Sequence, residues 1–97
     1  MTDRQQINIE LPEHEGEGIY SNFVIVSHSP SEFVIDFTRV LPGLKKAKVY
    51  SRIILAPTHA KLLMRTLKDN IEKYENIFGE IKAPPGIPTP EGKEIGF

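Results

Sequence analysis

The chain of 97 residues contains no cysteine and no tryptophan. Without cysteine there is no disulfide framework, no thiolate zinc site and no cysteine nucleophile. Long apolar runs are missing too. Phe23–Val26 and Ile53–Pro57 are the longest, far short of the roughly 20 residues that span a bilayer. The opening MTDRQQINIE has no apolar h-region, so no secretory signal is expected and a cytoplasmic location is the default. Net charge of one sign is also absent, with 12 Lys+Arg against 13 Asp+Glu. What is present is an ordinary globular balance, 39% hydrophobic and 26% charged, which excludes wholesale disorder and fits one small domain.

Along the chain, residues 1–18 read as a short strand followed by a linker. Gln5, Ile7, Ile9 and Leu11 sit at every second position, a strand period that Pro12 ends. Glu13 to Gly18 is acidic and glycine-bearing and reads as a mobile linker, so the opening strand is expected at a sheet edge or swapped onto a neighbouring chain. Ile19 to His28 is a strong strand pattern, with Phe23 and Ile25 on one face and Tyr20, Val24 and Val26 on the other. His28-Ser29-Pro30-Ser31 makes a turn, and Glu32 to Val40 returns with Phe33, Ile35 and Phe37 facing away from Val34, Asp36 and Thr38. After Leu41-Pro42-Gly43-Leu44, Lys46 to Leu55 forms a third strong strand, and such short connections favour antiparallel neighbours.

Beyond Ala60 the period changes. Ala60, Met64, Leu67, Ile71, Tyr74 and Phe78 follow a 4-3-4-3-4 spacing that lies on one helical face, widened by Leu63 and Ile77. Pro57 suits a first turn, Thr58 a cap, and Gly79 a C-cap, so the spacing predicts a helix over Thr58 to Phe78. Lys82 to Phe97 holds four prolines and three glycines and reads as a disordered, extended tail. The expected fold is therefore α+β: an antiparallel four-stranded β-meander and one long amphipathic helix. A single domain is expected over 19–81, with 82–97 as its tail. Both sheet faces carry apolar residues and one helix covers one of them. The other, assigned here to Tyr20, Val24, Val26, Val34 and Ile54, calls for a second copy, as a dimer or tetramer.

The run Ile19-Tyr20-Ser21-Asn22-Phe23, then Ser27-His28-Ser29-Pro30, Asp36-Phe37 and Leu41-Pro42, resembles a family of small bacterial proteins known as domain of unknown function 3467. Arg52-Ile53 to Pro57, His59-Ala60-Lys61 and Asn70-Ile71-Glu72-Lys73-Tyr74-Glu75 continue the same pattern. The likeness covers about Ile19 to Ile81 and departs from the usual alanine at Ser21. It implies no activity, and no residue inherits a role from it. The order of elements is also similar to that of SecB-type export chaperones, an analogy of fold.

Candidate catalytic groups are generic. Ser27, His28, Ser29 and Asp36 are triad residue types, but three of them crowd one hairpin turn, where serines ordinarily satisfy local amides. Asp36, set mid-strand between Ile35 and Phe37, needs water, a base such as Arg52, or an interface. His14, His28 and His59 lack zinc-ligand spacing. Gly86 to Gly92-Lys93 departs from a phosphate loop by one extra residue and a missing Ser/Thr, and Pro85-Gly86-Ile87-Pro88 is a minimal PxxP of the kind proline-rich tails produce by chance. No cofactor, no metal and no enzymatic activity are expected.

The charge layout stands above background. Residues 1–36 hold seven acids and one base, residues 37–68 eight bases and no acid, and residues 69–97 six acids and three bases. Lys61, Arg65 and Lys68 form a stripe on the helix's first half and Glu72, Glu75 and Glu80 occupy its end, the wrong way round for the helix macrodipole. In one account Lys46, Lys48, Arg52, Lys61, Arg65 and Lys68 contact nucleic-acid phosphates. In the other they pair with acidic regions of neighbouring copies, with Met64, Leu67, Ile71, Tyr74 and Phe78 as the oligomer interface. A sequence pI near 6.3 favours the second, since dedicated nucleic-acid binders typically exceed about 9. A homo-oligomeric, non-enzymatic binding or assembly module is expected. Its alternatives are a nucleic-acid-associated protein and a holder of extended polypeptides. A further protein partner is compatible with the first, and a membrane partner is not expected.

Overall fold

A computed structural model of the chain describes residues 6–43, 46–82, 87–88 and 94–95. The elements run α1 (Glu13–Gly16), β1 (Phe23–His28), β2 (Phe33–Arg39), β3 (Lys48–Leu55), α2 (Pro57–Phe78), β4 (Ile87–Pro88) and β5 (Glu94–Ile95). β1, β2 and β3 form an antiparallel sheet in that order, as their hairpin-length connections require.

The sheet has three strands, not four. Residues 6–12 form no strand, and Ile7, Ile9 and Leu11 are exposed, Ile9 by 91%. Period-two alternation supplies a face, but a strand also needs an edge to pair with, and the Ile7–Leu11 segment pairs with neither edge of the sheet. The acidic linker also differs from expectation. Glu13–Gly16 closes one helical turn, in which the Gly16 amide donates to the Pro12 carbonyl at 2.9 Å. Pro12 lies in the extended conformation that precedes a helix, and Glu13 and Glu15 sit in the first turn, the end that favours negative charge.

Register corrects the expected faces. Val24 lies opposite Phe37 and Val26 opposite Ile35, which joins them to Phe33, Leu55 and Ile53 on one face. Val34 and Ile54 face the other way, with Ile25, Asp36 and Arg52. Tyr20, Val24, Val26, Val34 and Ile54 therefore do not share one surface. Between Phe37/Thr38 the β2–β3 register slips by the extra residue Tyr50, and this bulge moves Val49 opposite Thr38.

α2 starts one residue earlier than expected. Ala56, not Thr58, is the capping residue, and Pro57 takes the first helical position, where its missing amide proton costs nothing. Gly79 ends the helix at φ +96°, its amide donating to the Glu75 carbonyl. In the tail, expected to be unpaired, β4 and β5 pair antiparallel with Ile87 opposite Ile95. Residues 83–86, 89–93 and 96–97 of that tail lie outside the described residues.

Among the described residues Ile35 (7% exposed), Asp36 (8%) and Thr38 (1%) are buried, all on the central strand. α2 contacts β3 yet contributes no buried residue.

Candidate functional site

The candidate surface is the seam of α2 with the charged rows beside it. A helix of 22 residues is about 33 Å long. Met64, Leu67, Ile71, Tyr74 and Phe78 are exposed along one side, Leu67 by 55% and Phe78 by 70%, with Ala60 half-buried at the start. Leu63 and Ile77 are exposed on one flank of that side. At its far end the Tyr74 and Phe78 rings lie 4.9 Å apart and tilted by 41°, an i,i+4 aromatic pair. No acid stands in the first turn and no base in the last, so the reversed charge order meets no local compensation at either end.

The six basic candidates do not form one group. Lys61, Arg65 and Lys68 share one exposed side of α2. Lys46, two residues before β3, and Lys48, its first residue, are also exposed, with the Lys48 ammonium 5.2 Å from the Tyr50 ring centre. The strand's ends are about 23 Å apart, and α2 begins at the other end. Arg52 is engaged within the sheet. Its Nε donates to Asp36 Oδ1 at 2.7 Å and its second guanidinium nitrogen to Oδ2 at 2.9 Å. The two residues are direct cross-strand partners, which aligns fork and carboxylate. The hydrogen bond from Arg52 holds the Asp36 carboxyl below its ordinary value; burial opposes this, and the charge attraction adds to it. The same pairing raises Arg52 above its own. Of the three settings open to a mid-strand Asp36, water, a base or an interface, the structure shows the base, Arg52.

The triad residue types do not assemble. His28 lies on the Phe33 face, stacked 5.4 Å from that ring, while Asp36 and Ser27 face the opposite way. Ser29 Oγ accepts the Ser31 and Glu32 amides, which is turn chemistry. Among the described residues no three His, Asp or Glu side chains converge on a metal-sized site. A groove of about 420 Å³ lies between α1 and the sheet, lined by His14, Glu15, Glu17, Phe37, Ser51 and Ile53. It is the space under the α1 turn.

Two arrangements escaped the sequence reading. Asn22 closes a ring with one backbone residue, its Oδ1 accepting the Val40 amide at 2.8 Å and its Nδ2 donating to the Val40 carbonyl at 3.0 Å. Arg39 spans two tyrosines, donating to the Tyr20 carbonyl while its guanidinium lies 4.4 Å from the Tyr50 ring centre. Nothing in the spacing of Tyr20, Arg39 and Tyr50 signalled the second.

A family model described as protein of unknown function (DUF3467) matches residues 1–83. The chain belongs to this family. The match extends over β1, β2, β3 and the whole of α2, so the exposed seam lies inside the region that defines DUF3467. No curated protein and no solved structure matches the chain, and the SecB-type likeness stays an analogy of element order. Among the described residues no helix is long and apolar enough to cross a membrane.

Proposed function

We propose that this DUF3467 chain is a non-enzymatic module that self-associates and serves as a binding or assembly component. One observation carries the reading: among the described residues Ile35 is the one buried hydrophobic side chain, while Met64, Leu67, Ile71, Tyr74 and Phe78 stand exposed along one side of α2. An obligate homodimer takes roughly 1,000–2,500 Å² from each copy, enough to cover a seam of that length. The apolar seam of α2 and the mixed sheet faces supply the surface, and the cross-strand Asp36–Arg52 pair keeps its one nearly buried charge neutralised. Light scattering on the pure chain at micromolar concentration tests this. A mass of two or more copies is the expected result, and a monomer mass rejects the proposal.

A second reading has the helix stripe of Lys61, Arg65 and Lys68 on nucleic-acid phosphates, and the exposure of all three favours it. Arg52 would contribute little, being committed to Asp36. Fluorescence anisotropy with labelled duplex and single-stranded DNA, at about 50 and 200 mM salt, separates the readings. Absence of binding at the lower salt is expected of the assembly module. Tight binding that collapses at the higher salt, and disappears in a Lys61/Arg65/Lys68→Glu variant, would put the second reading first.

A further inference from the structure

We infer that α2 is the contact between two copies, and that it pairs antiparallel with itself in one register centred near Asp69. This rests on the self-association proposed above and specifies its geometry. The 4-3-4-3-4 spacing makes Ala60, Met64, Leu67, Ile71, Tyr74 and Phe78 the six seam positions of a two-stranded coiled coil. A two-fold axis at residue 69 sets Ala60 against the partner's Phe78, Met64 against the partner's Tyr74, and Leu67 against the partner's Ile71. Each pairing then occurs twice in the dimer. The smallest seam residue meets a large ring, and every layer is apolar across the full length of the helix.

The flanking rows fit the same axis. On one side, Leu63 comes beside the partner's Ile77, and Asn70 beside the partner's Asn70 where two amides can bond. That accounts for the apolar widening of the stripe on that flank. On the other side, Lys61 comes beside the partner's Glu75, while Arg65 and Glu72 lie on the outer row behind that flank. Lys68 approaches its own mate near the axis, with Glu72 of the same helix one turn away to offset it. Glu75 Oε2 accepts the Ile81 amide at 2.9 Å, which leaves Oε1 for a cation.

This register gives the reversed charge order a cause. In a lone helix, bases at the start and acids at the end oppose the macrodipole, and Lys61, Arg65 and Lys68 repel one another at i,i+4 and i,i+3. An antiparallel neighbour brings acids to each basic half. Parallel pairing would set base on base and acid on acid. A slip of one heptad one way would leave Tyr74 and Phe78 unpaired and bring Lys61 beside the partner's Lys68; a slip the other way would leave Ala60 and Met64 unpaired and Lys61 without an acid beside it.

The absence of cysteine makes the test clean. Full-length Lys61→Cys, Glu75→Cys and Asn70→Cys chains, all altered at exposed or half-exposed helix positions, would be treated with a short bis-maleimide. Residues 61 and 75 of one helix are about 21 Å apart along its axis, so they do not bridge within a chain. The expected result is a cross-linked dimer from Asn70→Cys alone, and from Lys61→Cys equilibrated with Glu75→Cys, but from neither of those two alone. A mass of two or more copies without this pattern overturns the register while self-association stands. A monomer mass overturns both. In the unlinked protein, Lys61→Glu should weaken dimerisation roughly tenfold, and adding Glu75→Lys should restore it. No rescue would also overturn the register.

Discussion

Asn22 shows how much a single amide can hold at a sheet edge. It precedes β1, yet its side chain makes two hydrogen bonds to Val40 of the neighbouring strand's end, so the ladder continues one step past the backbone pairing. Ser21 adds a third bond, its hydroxyl donating to the Thr38 carbonyl at 2.8 Å. Asn22→Ala removes two bonds and should cost about 1–2 kcal/mol in urea unfolding, whereas Ser21→Ala removes one from a carbonyl that also accepts the Asn22 amide and should cost less. An equal cost would place the stability elsewhere. Asp36 gives a pH test. Its folded value lies below its unfolded value, so the pair adds stability above about pH 4 and loses it as pH falls through the folded value. Stability of the wild type minus that of Asp36→Asn should be flat near neutrality and fall in acid; a difference that grew in acid would contradict the pairing. Of these contacts, Asp36–Arg52 was partly legible in the sequence, where a carboxylate between Ile35 and Phe37 called for water, a base such as Arg52, or an interface, and the register decided among them. The Asn22 ring was not, because it depends on which backbone residue the register sets beside it.

At the scale of elements, periodic segments were legible and their pairing was not. α2 was expected over Thr58 to Phe78 and runs Pro57–Phe78, because six seam residues and a terminal glycine all point to one helix. The opening strand failed on the opposite ground: alternation in Ile7, Ile9 and Leu11 specifies a face, and only a partner edge makes a strand. The sheet faces were misassigned for the same reason. Within each strand the parity was right up to the bulge at Tyr50, but which parity of β1 joins which of β2 is decided by the register across the His28–Phe33 turn. Gly79 allows a prediction independent of any partner. Its φ of +96° and ψ of 169° belong to a region nearly reserved for glycine, and a Cβ there would meet nothing within 4 Å. Gly79→Ala should therefore cost about 1–3 kcal/mol from backbone strain alone, measured by urea unfolding. A neutral substitution would mean that the helix end adapts freely.

For the whole molecule the governing fact is the shortage of interior. Three buried residues on one central strand are a small core among the described residues, and the apolar side chains that would ordinarily complete it lie exposed along α2 and the sheet. Chains with so little buried surface are marginal alone, and the proposed association would supply the missing burial. The sequence raised the same proposal as a mismatch between two apolar sheet faces and one helix. What it lacked was the measure, since exposure is a property of the packed chain. Such coupling would make stability depend on protein concentration. If the copies unfold as they separate, each tenfold rise in concentration favours the folded assembly by about 1.4 kcal/mol, which raises the thermal midpoint by roughly 4 °C for a dimer of this size. Calorimetry across two decades of concentration should show that rise. Leu67→Asp, which puts a charge into the central layer, should leave a lower midpoint that no longer moves. A wild-type midpoint independent of concentration would mean that each copy holds its fold alone, and the exposed seam would then need another explanation than a second copy.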